Sequence, residues 1–269
     1  MAETAHDIPA DLRAKLNATM DQVLPACVHF YWQRPSETPK SLGSGILLKL
    51  NDDRLRVATA FHVFDGDGRG PGGGLAMGGP RSALIPLKGN PARTYSVQPD
   101  GEDVIDLASF WLDGRSVAEL GQVTPFTGSD VQASTSHDPS RRYAVVGFPA
   151  SKNKKPVGKG EPLPGGMMMF VARERDPGLP LPRPWINPAH HLMLSWDSKT
   201  AFHSEYGQHN PPKLSGVSGG VVLDLGPTLD PRVRPKVAGI FTRHLKPEDV
   251  LVATRLHPFL SLHESDKPK

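Results

Sequence analysis

The sequence predicts an all-β chain, and three observations carry that expectation. Glycine (27) and proline (28) together make up about a fifth of the 269 residues, a proportion that suits short strands joined by many turns. The apolar runs are short and rich in β-branched residues, as in Val221-Val222-Leu223 and Val250-Leu251-Val252. Long helical periodicity is missing beyond the first 25 residues. A chain of this length builds either one large all-β domain or a pair of small ones with a sizeable core.

Taken in order, Asp7-Ile8-Pro9 reads as a helix start, with Asp7 as the cap and proline in the first turn. Leu12, Leu16, Met20 and Val23 follow at helical spacing and predict one amphipathic helix ending near Pro25. Packing across the outside of the body is the plain expectation for it; docking of a regulatory partner is the sharper one. Val28 to Trp32 is the first predicted strand. Leu42 to Leu50 and Leu55 to Ala60 form a hairpin turned by Asn51 to Arg54. The glycine-rich stretch from Asp65 to Pro80 predicts a mobile surface loop. It lacks the Gly-Lys-[Ser/Thr] of a phosphate loop, and Ala76 stands where a calcium loop needs glutamate.

Short strands are expected at Leu84 to Leu87, Tyr95 to Val97 and Ile105 to Leu112. Gly114 to Pro125 carries the breakers Gly121 and Pro125 and reads as a boundary. Beyond it, strands are predicted at Tyr143 to Pro149, Met167 to Ala172, His191 to Trp196, Val221 to Leu225, Val237 to Thr242 and Val250 to Thr254. A proline-rich loop fills Pro177 to Pro188. A short closing helix is expected within Leu256 to His263. The division expected is an N-terminal helix over 1–25, a first half over 26–120, a second over 121–263 and a loose tail over 264–269.

Composition narrows the function. No run of about eighteen apolar residues offers a membrane span. The net charge is +3 and the one basic cluster, from Lys152 to Lys159, holds no aromatic residue, so a nucleic-acid site is not expected. The first residues have neither a basic n-region nor an apolar h-region, and the single Cys27 cannot form an internal disulfide. Both favour a reducing, cytoplasmic setting. His190, His191, His203 and His209 lack a zinc spacing, so no metal and no cofactor are expected; His203 or His209 fits better as a pocket residue.

The chemistry gathers in three stretches. Gly216-Val217-Ser218-Gly219-Gly220 places a serine in a tight turn ahead of an apolar strand, and the amides of Gly216 and Ser218 would converge as an oxyanion hole requires. Thr59-Ala60-Phe61-His62 ends an apolar strand, and Asp106-Leu107-Ala108 opens another. A serine hydroxyl needs a base to take its proton, which His62 would supply, and the imidazole needs an orienting acid, which Asp106 would supply. Asp103 is the neighbouring rival, disfavoured because Asp106 directly precedes Leu-Ala and begins the apolar run.

These three stretches, in the order His62, Asp106, Ser218, resemble the Thr-Ala-x-His, Asp-[Ile/Leu]-Ala and Gly-x-Ser-Gly-Gly boxes of the trypsin-like (chymotrypsin-fold) serine peptidases. The resemblance covers roughly Val28 to Phe259, and Gly147-Phe148-Pro149 resembles the matching strand end of bacterial members. It implies two six-stranded antiparallel β-barrels, one carrying His62 and Asp106 and the other Ser218. It also implies an intracellular endopeptidase acting on protein or peptide substrates through an acyl-enzyme. A catalytically inactive, partner-binding protein of the same fold is the alternative, and an esterase a third reading. One departure stands out. Members activated by proteolysis carry an aspartate directly before the nucleophile, whereas this chain has Val217, so activation by N-terminal cleavage is not expected.

The resemblance also places a primary substrate pocket. Pro212 would sit at its base with Lys213 beside it, Ile240, Phe241 and Thr242 would form a wall, and Leu251 would face them. None of these is acidic, so cleavage after Arg or Lys is not expected, and small or medium aliphatic residues are. Lys213 and His203 supply the competing preference for acidic residues.

Overall fold

The structure is a computed structural model, and it describes residues 9–34, 38–50, 54–65, 74–78, 84–88, 92–94, 104–133, 137–153, 166–203, 207–209 and 213–260. The chain opens with helix α1, Ala10–Val23. The four- and three-residue spacing of Leu16, Met20 and Val23 puts these side chains on one face, buried to 2 % or less. Lys15 is buried with them, and its Nζ donates to the carbonyls of Asp230 (2.7 Å) and Val233 (2.5 Å). The helix therefore packs along the body, and the apolar face read from the sequence is spent on the protein's own core. The expected cap, Asp7, lies outside the described residues; the helix starts after Pro9 with no side-chain cap.

The first sheet is built from β1 (Cys27–Gln33), β2 (Lys40–Lys49), β3 (Leu55–Ala60), β4 (Gly74–Gly78), β5 (Ile85–Pro86), β6 (Ala92–Thr94) and β7 (Leu107–Trp111) in the order β5-β4-β1-β2-β3-β7-β6. A short strand β8, Phe126–Thr127, pairs in parallel with β2. Two sequence expectations change here. Part of the glycine-rich stretch is strand, because Gly74–Gly78 pairs antiparallel with β1 from Gln33 to His29. The breaker-rich segment after β7 holds helix α3, Gly114–Leu120, whose N-terminus is capped by Asp113 accepting from Ser116 N at 2.7 Å. The strand expected at Tyr95 to Val97 lies outside the described residues.

The second sheet comprises β9 (Arg142–Gly147), β10 (Met168–Glu174), β11 (His191–His203), β12 (Gly207–His209), β13 (Val221–Gly226), β14 (Lys236–Leu245) and β15 (Val250–Arg255). Its order is β10-β9-β13-β14-β15-β11-β12, and β10 also pairs with β11. Six antiparallel strands thus close on themselves into a barrel, with β12 as an appendage. The first sheet forms an open half-barrel among the described residues. The closing helix expected after Leu256 is a single 3-10 turn, His257–Phe259; residues from 261 onward are outside the description.

Among the described residues, the three largest apolar clusters fill this frame. One belongs to the first sheet (Phe30, Leu47, Val57, Phe110) and one to the second barrel (Tyr143, Phe170, Leu192, Phe241, Leu251). The third is shared, joining Leu16 and Met20 of α1, Ile46 and Leu107 of the first sheet, and Val146, Val221 and Ile240 of the second. The two sheets and the helix therefore share one core along a common seam, and the candidate site lies on it. Among the described residues no helix is long and apolar enough to cross a membrane.

Candidate active site

β3 delivers the chain to the seam and ends at Ala60. Phe61 N then donates to Asp106 O at 3.0 Å, and His62 opens a single helical turn, α2, His62–Asp65. Asp106 stands one residue before β7. It is 2 % exposed, with the left-handed backbone angle φ of 50° that few non-glycine residues adopt. Both carboxylate oxygens turn to His62: Oδ1 accepts the His62 backbone N–H at 2.8 Å, and Oδ2 lies 2.6 Å from His62 Nδ1. The grip on main chain and side chain together fixes the ring. With Nδ1 engaged and 46 % of the side chain exposed, Nε2 is the imidazole nitrogen left for chemistry.

The strained Asp106 is anchored from the other barrel. His191 Nε2 donates to Val104 O at 2.7 Å, and the Thr254 hydroxyl donates to Ile105 O. The tautomer of His191 follows from its partners: Val104 O accepts only, and Nδ1 accepts the Asn187 N–H at 3.0 Å. Burial pulls the His191 pKa down, which favours this neutral form. Asp103, the rival acid, lies outside the described residues.

Ser218 is half-buried in the turn that leads into β13. Gly216 has φ of +89° and Gly219 of +82°. A side chain at 216 would meet Ala150 N at 2.6 Å, and one at 219 would collide with Thr59 Oγ1 and Ser44 O. The turn thus lies against Thr59 and Ala60, just ahead of His62. On the other side of that histidine, a β-carbon on Gly43 would meet both Val63 (2.6 Å) and Ser218 O (2.8 Å). These close approaches set the Ser218 turn against Ala60 and Gly43, at the strand end that leads to His62.

The N–H groups of this turn divide in two. Val217 N donates to Leu214 O (2.9 Å) and Gly219 N to Phe241 O (2.8 Å), while among the described residues Gly216 N and Ser218 N donate to no protein group. Ser215 O is held by Ala150 N at 2.7 Å. In a trans peptide the N–H points opposite to the carbonyl, so Gly216 N–H faces away from Ala150. Two free amides flanking a half-buried serine, beside a carboxylate-held imidazole, can bind an oxygen that gains negative charge while the imidazole takes a hydroxyl proton.

The candidate pocket residues separate. Ile240 lies in the shared core with Val146 and Val221. Phe241 and Leu251 pack with Leu214 and Val217, directly under the turn. Thr242 is 4 % exposed and donates to Val252 O at 3.1 Å; Lys213 is exposed, and Pro212 is outside the described residues. The side chains of His203 and His209 are likewise outside them. No cluster of metal-binding side chains occurs among the described residues. No local pattern marks Ser44, Thr59, His191 or Thr254 as supports: Ser44, His191 and Thr254 bond across the seam, and Thr59 holds Ser44 O within the first sheet. A serine flanked by two glycines that have no room for side chains was the one local signal.

Neither a family model nor a curated protein matches the sequence. Among solved structures, the VesB protease of Vibrio cholerae superposes with a TM-score of 0.52 at 12 % identity, over 90 % of this chain and 64 % of that one. The chain therefore spans about 64 % of the length of VesB. A Glu endopeptidase in complex with MPD superposes at 0.46, with 12 % identity over 91 % of this chain and 92 % of that one. Catalytically inactive tobacco etch virus protease complexed with substrate superposes at 0.45, with 10 % identity over 92 % and 87 %. At such identities the likeness is one of fold, and the fold is the chymotrypsin-like one expected from the sequence.

Proposed function

We propose that the chain is a serine endopeptidase in which Ser218 is the nucleophile, His62 the base and then the acid, and Asp106 the residue that orients the imidazole and stabilises its cation. The observation that carries this reading is the double grip of buried Asp106 on His62, 2.8 Å to the main chain and 2.6 Å to Nδ1, on the seam where the Ser218 turn arrives. In the first half-reaction Ser218 Oγ bonds to the scissile carbonyl carbon as its proton passes to His62 Nε2. The oxyanion rests on the amides of Gly216 and Ser218, and the proton then goes to the leaving amine. Water repeats the sequence on the acyl-enzyme, and no cofactor is required. The substrate is a protein or peptide. The lack of an acidic side chain among Pro212, Lys213, Ile240, Phe241, Thr242 and Leu251 supports small or medium aliphatic residues over Arg or Lys at the cleaved position. A chain whose one cysteine is buried and without a disulfide suits a reducing cytoplasm.

A fluorophosphonate probe tests the reading directly. Wild type is expected to be labelled on Ser218, and Ser218→Ala and His62→Ala not at all. A folded wild type that resists the probe would overturn the assignment and leave a partner-binding protein of this fold. Profiling cleavage across a peptide library tests the specificity; dominant cleavage after Arg or Lys would refute it.

A further inference from the structure

The peptidase reading needs two amides aimed at one point, and the residue that aims them sits in the opposite sheet. Four successive peptides run from Ser215 to Gly219, and every one of their carbonyls is held. Ser215 O accepts from Ala150 N (2.7 Å), Gly216 O from Ser44 Oγ (2.8 Å), Val217 O from Gly220 N (2.8 Å) and Ser218 O from Ser44 N (2.7 Å). Fixing a carbonyl fixes the N–H on the other side of the same planar unit. Ser44 supplies two of the four holds, those on the Gly216–Val217 and Ser218–Gly219 peptides; these adjoin the Ser215–Gly216 peptide and bracket the Val217–Ser218 peptide, the two that carry the free N–H groups, so Ser44 acts on the donors through their neighbours. It also influences a third, because its hydroxyl accepts Phe148 N at 2.8 Å, in the segment that contains Ala150.

All four polar atoms or groups of Ser44 are used in this way. Its N–H goes to Ser218, its hydroxyl proton to Gly216 and a hydroxyl lone pair to Phe148, while its carbonyl accepts the Thr59 hydroxyl at 2.6 Å. The fit is tight. A β-carbon on Gly147 would lie 2.8 Å from Ser44 Oγ, and Ser44 itself is 1 % exposed. Only a small side chain that both donates and accepts satisfies a carbonyl and an N–H at once here. Val217, buried at 0 % exposure against Phe241 and Leu214, contributes packing and no charge, so an ion pair at that position is not what holds the turn.

We propose that Ser44 is the positioning residue that presents the amides of Gly216 and Ser218 as oxyanion donors. This rests on the peptidase reading. In Ser44→Ala, Gly216 O and Phe148 N lose their partner in a dry seam, and the turn relieves them by rotating its peptides. The donors then miss the oxyanion while ground-state binding is kept.

The test compares wild type, Ser44→Ala and Thr59→Val on a fluorogenic peptide cut by wild type. It adds the matching peptide aldehyde, which forms a tetrahedral adduct, and the peptide alcohol, which does not. Ser44→Ala is expected to lose on the order of 10²-fold in kcat, with KM within about threefold. Aldehyde affinity should fall with kcat, while alcohol affinity and the pH midpoint of kcat/KM should stay put. Thr59→Val, which keeps side-chain shape and remains informative if Ser44→Ala fails to fold, should show the same pattern at about tenfold. Unchanged kcat, or equal losses for aldehyde and alcohol, would overturn the proposal. Wild type that is labelled by fluorophosphonate alongside an equally reactive Ser44→Ala would refute Ser44 alone; an unlabelled wild type would refute both readings.

Discussion

Asp106 and His29 show how single side chains set the behaviour of the site and of the fold. Asp106 combines a strained backbone with a carboxylate whose two oxygens serve one histidine. Asn keeps the size but puts an NH₂ where one oxygen was, which reverses the tautomer of His62. Asp106→Asn is expected to lower kcat on the order of 10⁴-fold, with peptide binding retained. Steady-state kinetics with the library-selected peptide would check this. His29 is 1 % exposed, with Nε2 2.8 Å from Ser41 Oγ, Nδ1 2.6 Å from the Tyr31 hydroxyl, and its ring stacked 4.8 Å from Phe148. Burial lowers its pKa from 6.5 to about 3. Below pH 6.5 the unfolded chain therefore binds a proton that the folded one does not. The stability tied to His29 is complete above pH 6.5 and drains away as the pH falls toward 3, at about 1.4 kcal/mol per pH unit. Urea midpoints measured across this range should fall less steeply in His29→Gln than in wild type; parallel slopes would contradict it.

Elements differ in how much of them the sequence displays. His62, Asp106 and Ser218 each sit in a local pattern, a strand end or a glycine turn, and each pattern is visible within ten residues. β4 was hidden because its Gly-Leu-Ala-Met-Gly run looks like loop, and only pairing with β1 makes it a strand. α3 was hidden because glycine opens it and it has only seven residues; its cap on Asp113 is the cue that propensity alone passed over. The supports of the site were illegible for a different reason. Ser44 and Gly216 are 172 positions apart, and no local pattern encodes a bond of that range. α1 was found, but its cationic anchor was not: Lys15 reads as a solvated residue and is instead bound to two carbonyls. Lys15→Met keeps the buried stem and removes the ammonium. The loss expected is about 1–2 kcal/mol, read as a Tm lowered by roughly 2–6 °C.

The molecule as a whole carries a built-in reporter. Cys27 opens β1, is 3 % exposed in the core shared by both sheets, and has its thiol pushed up to about 12 by burial. The thiolate is the reactive form, so alkylation by iodoacetamide should be negligible in the native state and should follow opening of the seam. Because the shared core includes α1, the first sheet and the second barrel, labelling of Cys27 in rising urea should coincide with the loss of activity. Labelling at urea concentrations where activity persists would show that the halves open independently.

The bonds across the seam run both ways: Ser44 of the first sheet, itself held by Thr59, holds the turn of Ser218, while His191 and Thr254 of the second barrel hold the approach to Asp106. Each half carries part of what keeps the other's reactive residue in place. Recombination between distant relatives is therefore constrained at this boundary. A chimera that takes one barrel from a protein lacking the matching hydroxyls and imidazole would inherit every catalytic side chain and still be inactive. Restoring its activity would require transplanting the partners from the barrel that was left behind.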